Sequence, residues 1–186
     1  MRARIAAMLC VVILLSGCSN RNDVLGRAIA LRNGLLDGDG CRFQAVVTAD
    51  YGENIYTFTM ECDVNKSGDL FFKVAAPTTI AGITGKITGT GGAIHFDEMV
   101  LGFPTIADGQ ITPVTAPWLL VKTLRGGYIK DCARNDNGFT VTIDDSYSDE
   151  AFQLNINVKD DLPISAEIFW KSRRLMTILI EDFEIL

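Results

Sequence analysis

An α+β domain of about ten antiparallel strands and two helices is what this sequence predicts. Three observations carry it. Apolar residues recur at helical spacing in two places, over Val24–Leu35 and again over Trp118–Leu124. Elsewhere the period falls to two, most plainly in Phe152-Gln153-Leu154-Asn155-Ile156-Asn157-Val158-Lys159. Short turn-forming clusters such as Gly38-Asp39-Gly40, Gly91-Gly92 and Asp160-Asp161 separate the alternating segments.

The N-terminal stretch precedes that domain and has its own logic. Arg2 and Arg4 make a short basic start, Ile5 to Leu15 is almost wholly apolar, and Leu15-Ser16-Gly17-Cys18 resembles a bacterial lipobox. The apolar run is far shorter than the roughly 20 residues that a spanning helix needs. The expected division is residues 1–17 as a lipoprotein signal peptide, 18–22 as a lipidated tether and 23–186 as one domain. Cys18 is the expected lipidation site. Two acyl chains on its sulfur would hold the protein on a membrane, since one chain alone is marginal. Removing residues 1–17 removes two arginines and no acid, so the formal charge moves from −6 to −8. So acidic a domain does not favour nucleic acid or anionic headgroups. The expected location is extracytoplasmic, with attachment through acylated Cys18.

The elements follow in order. Asp23 is positioned to cap a helix over about 24–37, with Val24, Ala28, Leu31 and Leu35 as its apolar stripe and Leu25, Ile29 and Leu36 beside it. Segments 41–49 and 54–62 then read as a hairpin around Asp50-Tyr51-Gly52-Glu53. A register closed by that turn sets Phe43 against Met60, Ala45 against Phe58 and Cys41 against Cys62. Cys41 and Cys62 would then either form a disulfide or stay as two small buried thiols. Cys132 reads as a buried core thiol. Strands are expected at 70–76, where Pro77 stops the chain, at 80–88 and at 93–97. Residues 99–113 carry two Pro and two Gly and read mostly as loop. A second helix starts at Thr115 or Ala116 with Pro117 in its first turn, and Gly126-Gly127 ends it. Strands near 128–134, 138–144, 151–159, 163–171 and 174–184 complete the chain.

Catalytic chemistry finds little to work with. The one histidine, His95, sits in Ala93-Ile94-His95-Phe96-Asp97 and reads as a surface strand residue. No Gly-x-Ser-x-Gly elbow, zinc-spaced Cys/His group or nucleotide-binding glycine motif is present. The oxygen-rich turn Asp144-Asp145-Ser146-Tyr147-Ser148-Asp149 lacks the glycine and terminal glutamate of a calcium loop. The sequence therefore predicts no catalytic residue, no metal site and no cofactor.

The order of elements resembles a known superfamily. An amphipathic helix leads into a hairpin, then into a strand ending in Lys73-Val74-Ala75-Ala76-Pro77. A helix opening Pro117-Trp118-Leu119-Leu120 follows midway, and paired strands close the chain around Leu162-Pro163-Ile164-Ser165-Ala166-Glu167-Ile168. This is similar to the lipoprotein-sorting carriers LolA and LolB, and especially to the lipidated LolA-like, GerS-like proteins of Gram-positive spore formers. The resemblance implies a curved, open antiparallel sheet, a half-barrel, with helices across its concave face. It also implies an apolar cavity that takes a lipid or acyl chain. Phe43, Phe58, Met60, Phe72, Val74, Phe96, Trp118, Leu120 and Leu124 are then the candidate lining. A filled core would use the same residue types. The other role that the resemblance implies is a non-catalytic module that holds a cell-envelope protein, or a second copy of itself, at the membrane. Only Lys73 precedes Pro77 as a basic residue, where the soluble carriers often show a pair.

Overall fold

The computed structural model describes the backbone of residues 19–104, 106–107 and 110–186, and the side chains of 23–104 and 111–186. The expected signal peptide and the lipidation site Cys18 lie outside the described residues. The chain opens with helix α1 (Ser19–Asp37) and continues into β1 (Gly40–Asp50), β2 (Ile55–Asn65), β3 (Leu70–Ala76), β4 (Thr84–Ile87), β5 (Gly92–Phe96) and β6 (Met99–Phe103). A small hairpin, β7 (Ile106–Ala107) and β8 (Gln110–Ile111), and a 3-10 turn (Pro113–Thr115) lead to α2 (Ala116–Gly126). The remainder is β9 (Tyr128–Asn135), β10 (Gly138–Asp144), β11 (Gln153–Lys159), β12 (Leu162–Trp170) and β13 (Arg173–Ile185).

Eleven strands form one open, curved antiparallel sheet in the order β6-β5-β4-β3-β2-β1-β13-β12-β11-β10-β9. The expected α+β half-barrel is therefore the observed fold. The first six strands spread outward from the centre. The chain then crosses to the far edge, and β9 to β13 return until β13 pairs with β1. The crossing carries α2 over the concave face, where Ala116 to Val121, Thr123 and Leu124 are all buried. Thr115 precedes it and Pro117 sits in its first turn, as the sequence predicts. α1 packs against α2 and β9. Its stripe Val24, Ala28, Leu31 and Leu35 is buried, whereas Leu25, Ile29 and Leu36 face out. Helix and sheet thus share one core.

Arginines tie the helix layer together. The Arg32 guanidinium donates from Nε to the Leu124 carbonyl and from Nη2 to that of Gly127, both at 2.8 Å. The last carbonyls of a helix lack partners within it, and a cation there also meets the negative end of the helix dipole. Arg27 Nε lies 2.7 Å from Asp161 Oδ1, in the turn between β11 and β12.

Four expectations need correction. α1 begins at Ser19, not at Val24, so Asp23 lies inside the helix and does not cap it; its carboxylate pairs with Arg134 Nη2 at 2.6 Å. Residues 99–103 are a strand, not loop, because Asp97 adopts a positive φ of 51° and lets Phe96 pair with Met99 across a two-residue turn. Of 80–88 only Thr84–Ile87 is strand, since Gly82 turns the chain at φ 90°. The hairpin register is displaced by one pair. Its loop is Tyr51–Asn54, closed by Tyr51 N–H donating to the Asn54 carbonyl and by Gly52 N–H donating to Asp50 Oδ1.

That displacement removes the expected Cys41–Cys62 pairing. Cys41 faces Val64, Cys62 faces Phe43, Ala45 faces Met60 and Val47 faces Phe58. Cys41 and Cys62 are diagonal neighbours, and both are free, buried thiols. Cys132 is also buried, as expected. Burial raises the Cys41 thiol from its ordinary 9.0 to about 12 and raises Cys62 as well. Thiolate is the reactive form, so both are inert in the folded chain. Native protein at pH 8 should react with a disulfide reagent far more slowly than denatured protein does; equal rates would contradict the burial. The pH dependence follows the same sign. Unfolded thiols ionise above about pH 9 while the folded ones stay neutral, so stability falls as pH rises from about 9 toward 12.

Candidate functional site

The concave face was the expected binding cavity, and the structure places its candidate lining in a packed core. Met60 and Leu120 are 0% exposed, and Phe43, Phe58, Phe72, Val74, Trp118 and Leu124 are also buried. A side chain that borders a water-sized void keeps accessible surface on that side. Met60 and Leu120 keep none, so the space around them is filled. Phe43 stacks on Phe183 with ring centroids 5.2 Å apart. Phe96 does not join this group. It is 45% exposed at the end of β5, opposite Met99.

The structure instead brings chemistry together on the other face of the sheet. Alternation puts the odd-numbered members of the β1 core set inward and sends Arg42 and Gln44 outward. Register then assembles two rows. One runs Glu184, Arg42, Asp63, Phe71, Lys86 and Ala93 from β13 to β5. The other runs Glu181, Gln44, Glu61, Lys73, Thr84 and His95. A groove of about 910 Å³ lies over these rows. The volume falls within the range of small-ligand and peptide sites.

Several local features shape the groove. Gly85 has no side chain beneath the Phe72 ring, and a Cβ there would also come within 2.6 Å of the Ala93 carbonyl. The β13 edge carries a bulge between its partners Arg42 and Gln44, with Asp182 at φ 52°. The extra residue turns Phe183 into the core and leaves Asp182 and Glu184 on the groove side. No motif in the sequence announces this site, because it exists only once strands β13 to β5 are in register.

The charges in the groove are only partly satisfied. Arg42 donates to Asp63 Oδ2 from Nη2 at 2.8 Å and from Nε at 3.1 Å. Lys86 Nζ lies 2.8 Å from Asp69 Oδ2 and 5.1 Å from the Phe71 ring centre. Lys73, His95, Asp182 and Glu184 line the same space, and among the described residues none of them makes such a bond. The arrangement offers paired positive and negative groups and an exposed ring. His95 faces Thr84 and Val100 across the ladder, as a surface strand residue would. Among the described residues no His, Cys, Asp or Glu group is placed to hold a metal. In the oxygen-rich turn, Asp145 already pairs with Lys122 Nζ at 2.9 Å and accepts from Phe152 N–H at 2.9 Å. Among the described residues no helix is long and apolar enough to cross a membrane.

Comparison with known proteins yields structural likeness and no sequence match. No family model matches the chain, and no curated protein does. Solved structures similar to it include a LolA superfamily protein from Nitrosomonas europaea, with TM-score 0.43 and 9% identity over 86% of this chain and 93% of that one. An outer membrane lipoprotein-sorting protein domain from Vibrio parahaemolyticus gives TM-score 0.47 and 8% identity over 85% and 90% of the two chains. The lipoprotein LppX from Mycobacterium tuberculosis gives 0.40 and 14% over 84% and 92%.

Proposed function

We propose that this protein is a non-catalytic, extracytoplasmic lipoprotein, anchored through acylated Cys18, that holds a cell-envelope protein on the outer face of its sheet. The observation that carries the reading is the burial of the candidate concave lining together with a groove of about 910 Å³ on the outer face. The basic start, apolar run and lipobox support the anchor. Kinship with the lipidated LolA-like proteins of spore formers is part of the same proposal and rests on element order.

The groove favours a polypeptide segment of mixed charge. Its cations Arg42, Lys73 and Lys86 alternate with Glu61, Asp63, Asp182 and Glu184 over a few strands. Exposed ion pairs contribute only about 0–1 kcal/mol each, so they set register and partner choice more than affinity. A shallow, reversible complex follows. A lipid ligand on the concave side would instead require α2 to leave the sheet and expose its eight buried residues.

A photo-crosslinking residue at position 73 tests the reading in intact cells. The expected result is a discrete crosslinked protein that disappears in the Lys86→Glu, Arg42→Glu double variant. Crosslinks that ignore charge reversal, or none at all, would remove the groove from the account.

A further inference from the structure

We infer that the outward face of α1 lies flat on the lipid bilayer, with Tyr128 and Tyr147 near the Arg32 end of the helix. This deepens the proposed function and rests on its membrane anchor at Cys18. The first observation is where charge goes along the helix. Between Asp23 and Asp37 the only ionisable side chains are Arg27 and Arg32. Both turn away from the exposed face. Arg27 reaches Asp161 and lies 4.9 Å from the centre of the Phe139 ring. Arg32 reaches the carbonyls of Leu124 and Gly127. What remains outside is Leu25, Gly26, Ile29, Ala30, Asn33 and Leu36, all exposed and all uncharged. Leu25, Ile29 and Leu36 are 38%, 43% and 43% exposed, and their spacing sets them in one line along the helix.

The second observation is aromatic and lies on other elements. Tyr128 follows the Gly127 carbonyl that Arg32 holds, at the start of β9. Tyr147, in the loop after β10, is 87% exposed, and its ring centre lies 5.5 Å from that of Tyr128. Tyrosine in that state has an apolar body and a polar tip, and it is enriched where membrane meets water.

The position of the helix selects a bilayer as the occupant. α1 starts at Ser19, the residue after Cys18. At about 1.5 Å rise per residue, Leu25 is about 10 Å from the anchor and Leu36 about 27 Å. A helix pinned to its domain along one stripe, and to the bilayer at its first turn, can bring its uncharged face to headgroup depth by lying down. The processed chain as a whole carries a net charge of −8 and is repelled by anionic lipid. Asp23 and Asp37 bound the uncharged face at either end, and Asp23 is already paired with Arg134.

The test uses the processed lipoprotein on phosphatidylcholine vesicles containing doxyl-labelled lipid. Ile29→Cys and, separately, Lys73→Cys carry an environment-sensitive fluorophore; the native Cys41, Cys62 and Cys132 are buried and stay unlabelled. The expected result is flotation with the vesicles, strong quenching at position 29 and none at position 73. Adding Leu25→Ser and Leu36→Ser should cut the quenched fraction at position 29 on the order of tenfold while flotation persists. Flotation with a water-exposed label at position 29 would overturn this inference and leave the anchor standing. No flotation would overturn the anchor, and the inference with it. A label shielded without vesicles would make α1 a protein-protein face and also overturn it.

Discussion

Truncating Met60 or Leu120 to alanine should lower unfolding stability by about 3 kcal/mol each, read from the midpoint of denaturant unfolding at unchanged slope. Both side chains are 0% exposed, one on β2 and one on α2, so each sits where the sheet and helix layers meet. Deleting their outer atoms loses transfer free energy and leaves a hole in a close-packed core, whose other members include the fully buried Leu119 and Leu154. The result discriminates between two interiors. In a hollow half-barrel the same truncation adds to an existing void, so the loss is smaller. A small loss at both positions would therefore contradict the packed core and return the concave face to consideration as a ligand site.

Gly40→Ala and Gly138→Ala form the second prediction, each expected to cost about 3 kcal/mol or more. These glycines open β1 and β10 at φ 153° and 151°, backbone that L side chains rarely adopt. Space is as restrictive as conformation. A Cβ on Gly40 would overlap the Val64 carbonyl oxygen, and one on Gly138 would overlap that of Val158. The obstacles are backbone atoms of paired strands, so no side chain can rotate to relieve them. Gly52→Ala serves as the comparison. It also has a positive φ, of 86°, yet nothing lies within 4 Å of its Cβ position, so only the conformational cost remains. Thermal unfolding of the three variants separates the terms; equal losses at Gly40, Gly138 and Gly52 would show that close approach is not the cause.

Much of the architecture is legible in the sequence itself. Alternation over Phe152–Lys159 located β11, and Pro117 with Gly126-Gly127 bounded α2, because periodicity and backbone chemistry are local. Register was not legible to the same degree. Asp50 and Gly52 shape a loop that ends at Asn54 rather than Glu53, and that one step takes Cys62 from Cys41 to Phe43. Parity survived the step, so the inward residues stayed inward while their partners changed. The edge strand β6 was hidden because an Asp97-Glu98 turn lacks the glycine that marks most two-residue hairpins.

The candidate sites divide along the same line. Composition marks Phe43, Met60, Phe72 and Leu120 as inward and apolar, and says nothing about whether they line a space or fill it. That depends on how far α2 sinks into the sheet, a tertiary quantity. The outer groove draws Arg42, Lys73, Lys86 and Glu184 from four strands, and the α1 face owes its neutrality to where Arg27 and Arg32 point. Neither is a sequence pattern. Cys18 is the reverse case: its proposed role rests on the lipobox and lies outside the described residues.

Native mass spectrometry of protein purified without detergent tests the packed interior most directly. The account predicts one species with the mass of the polypeptide and its covalent acyl groups alone. A lipid bound in fixed ratio and released intact on collisional activation would contradict it.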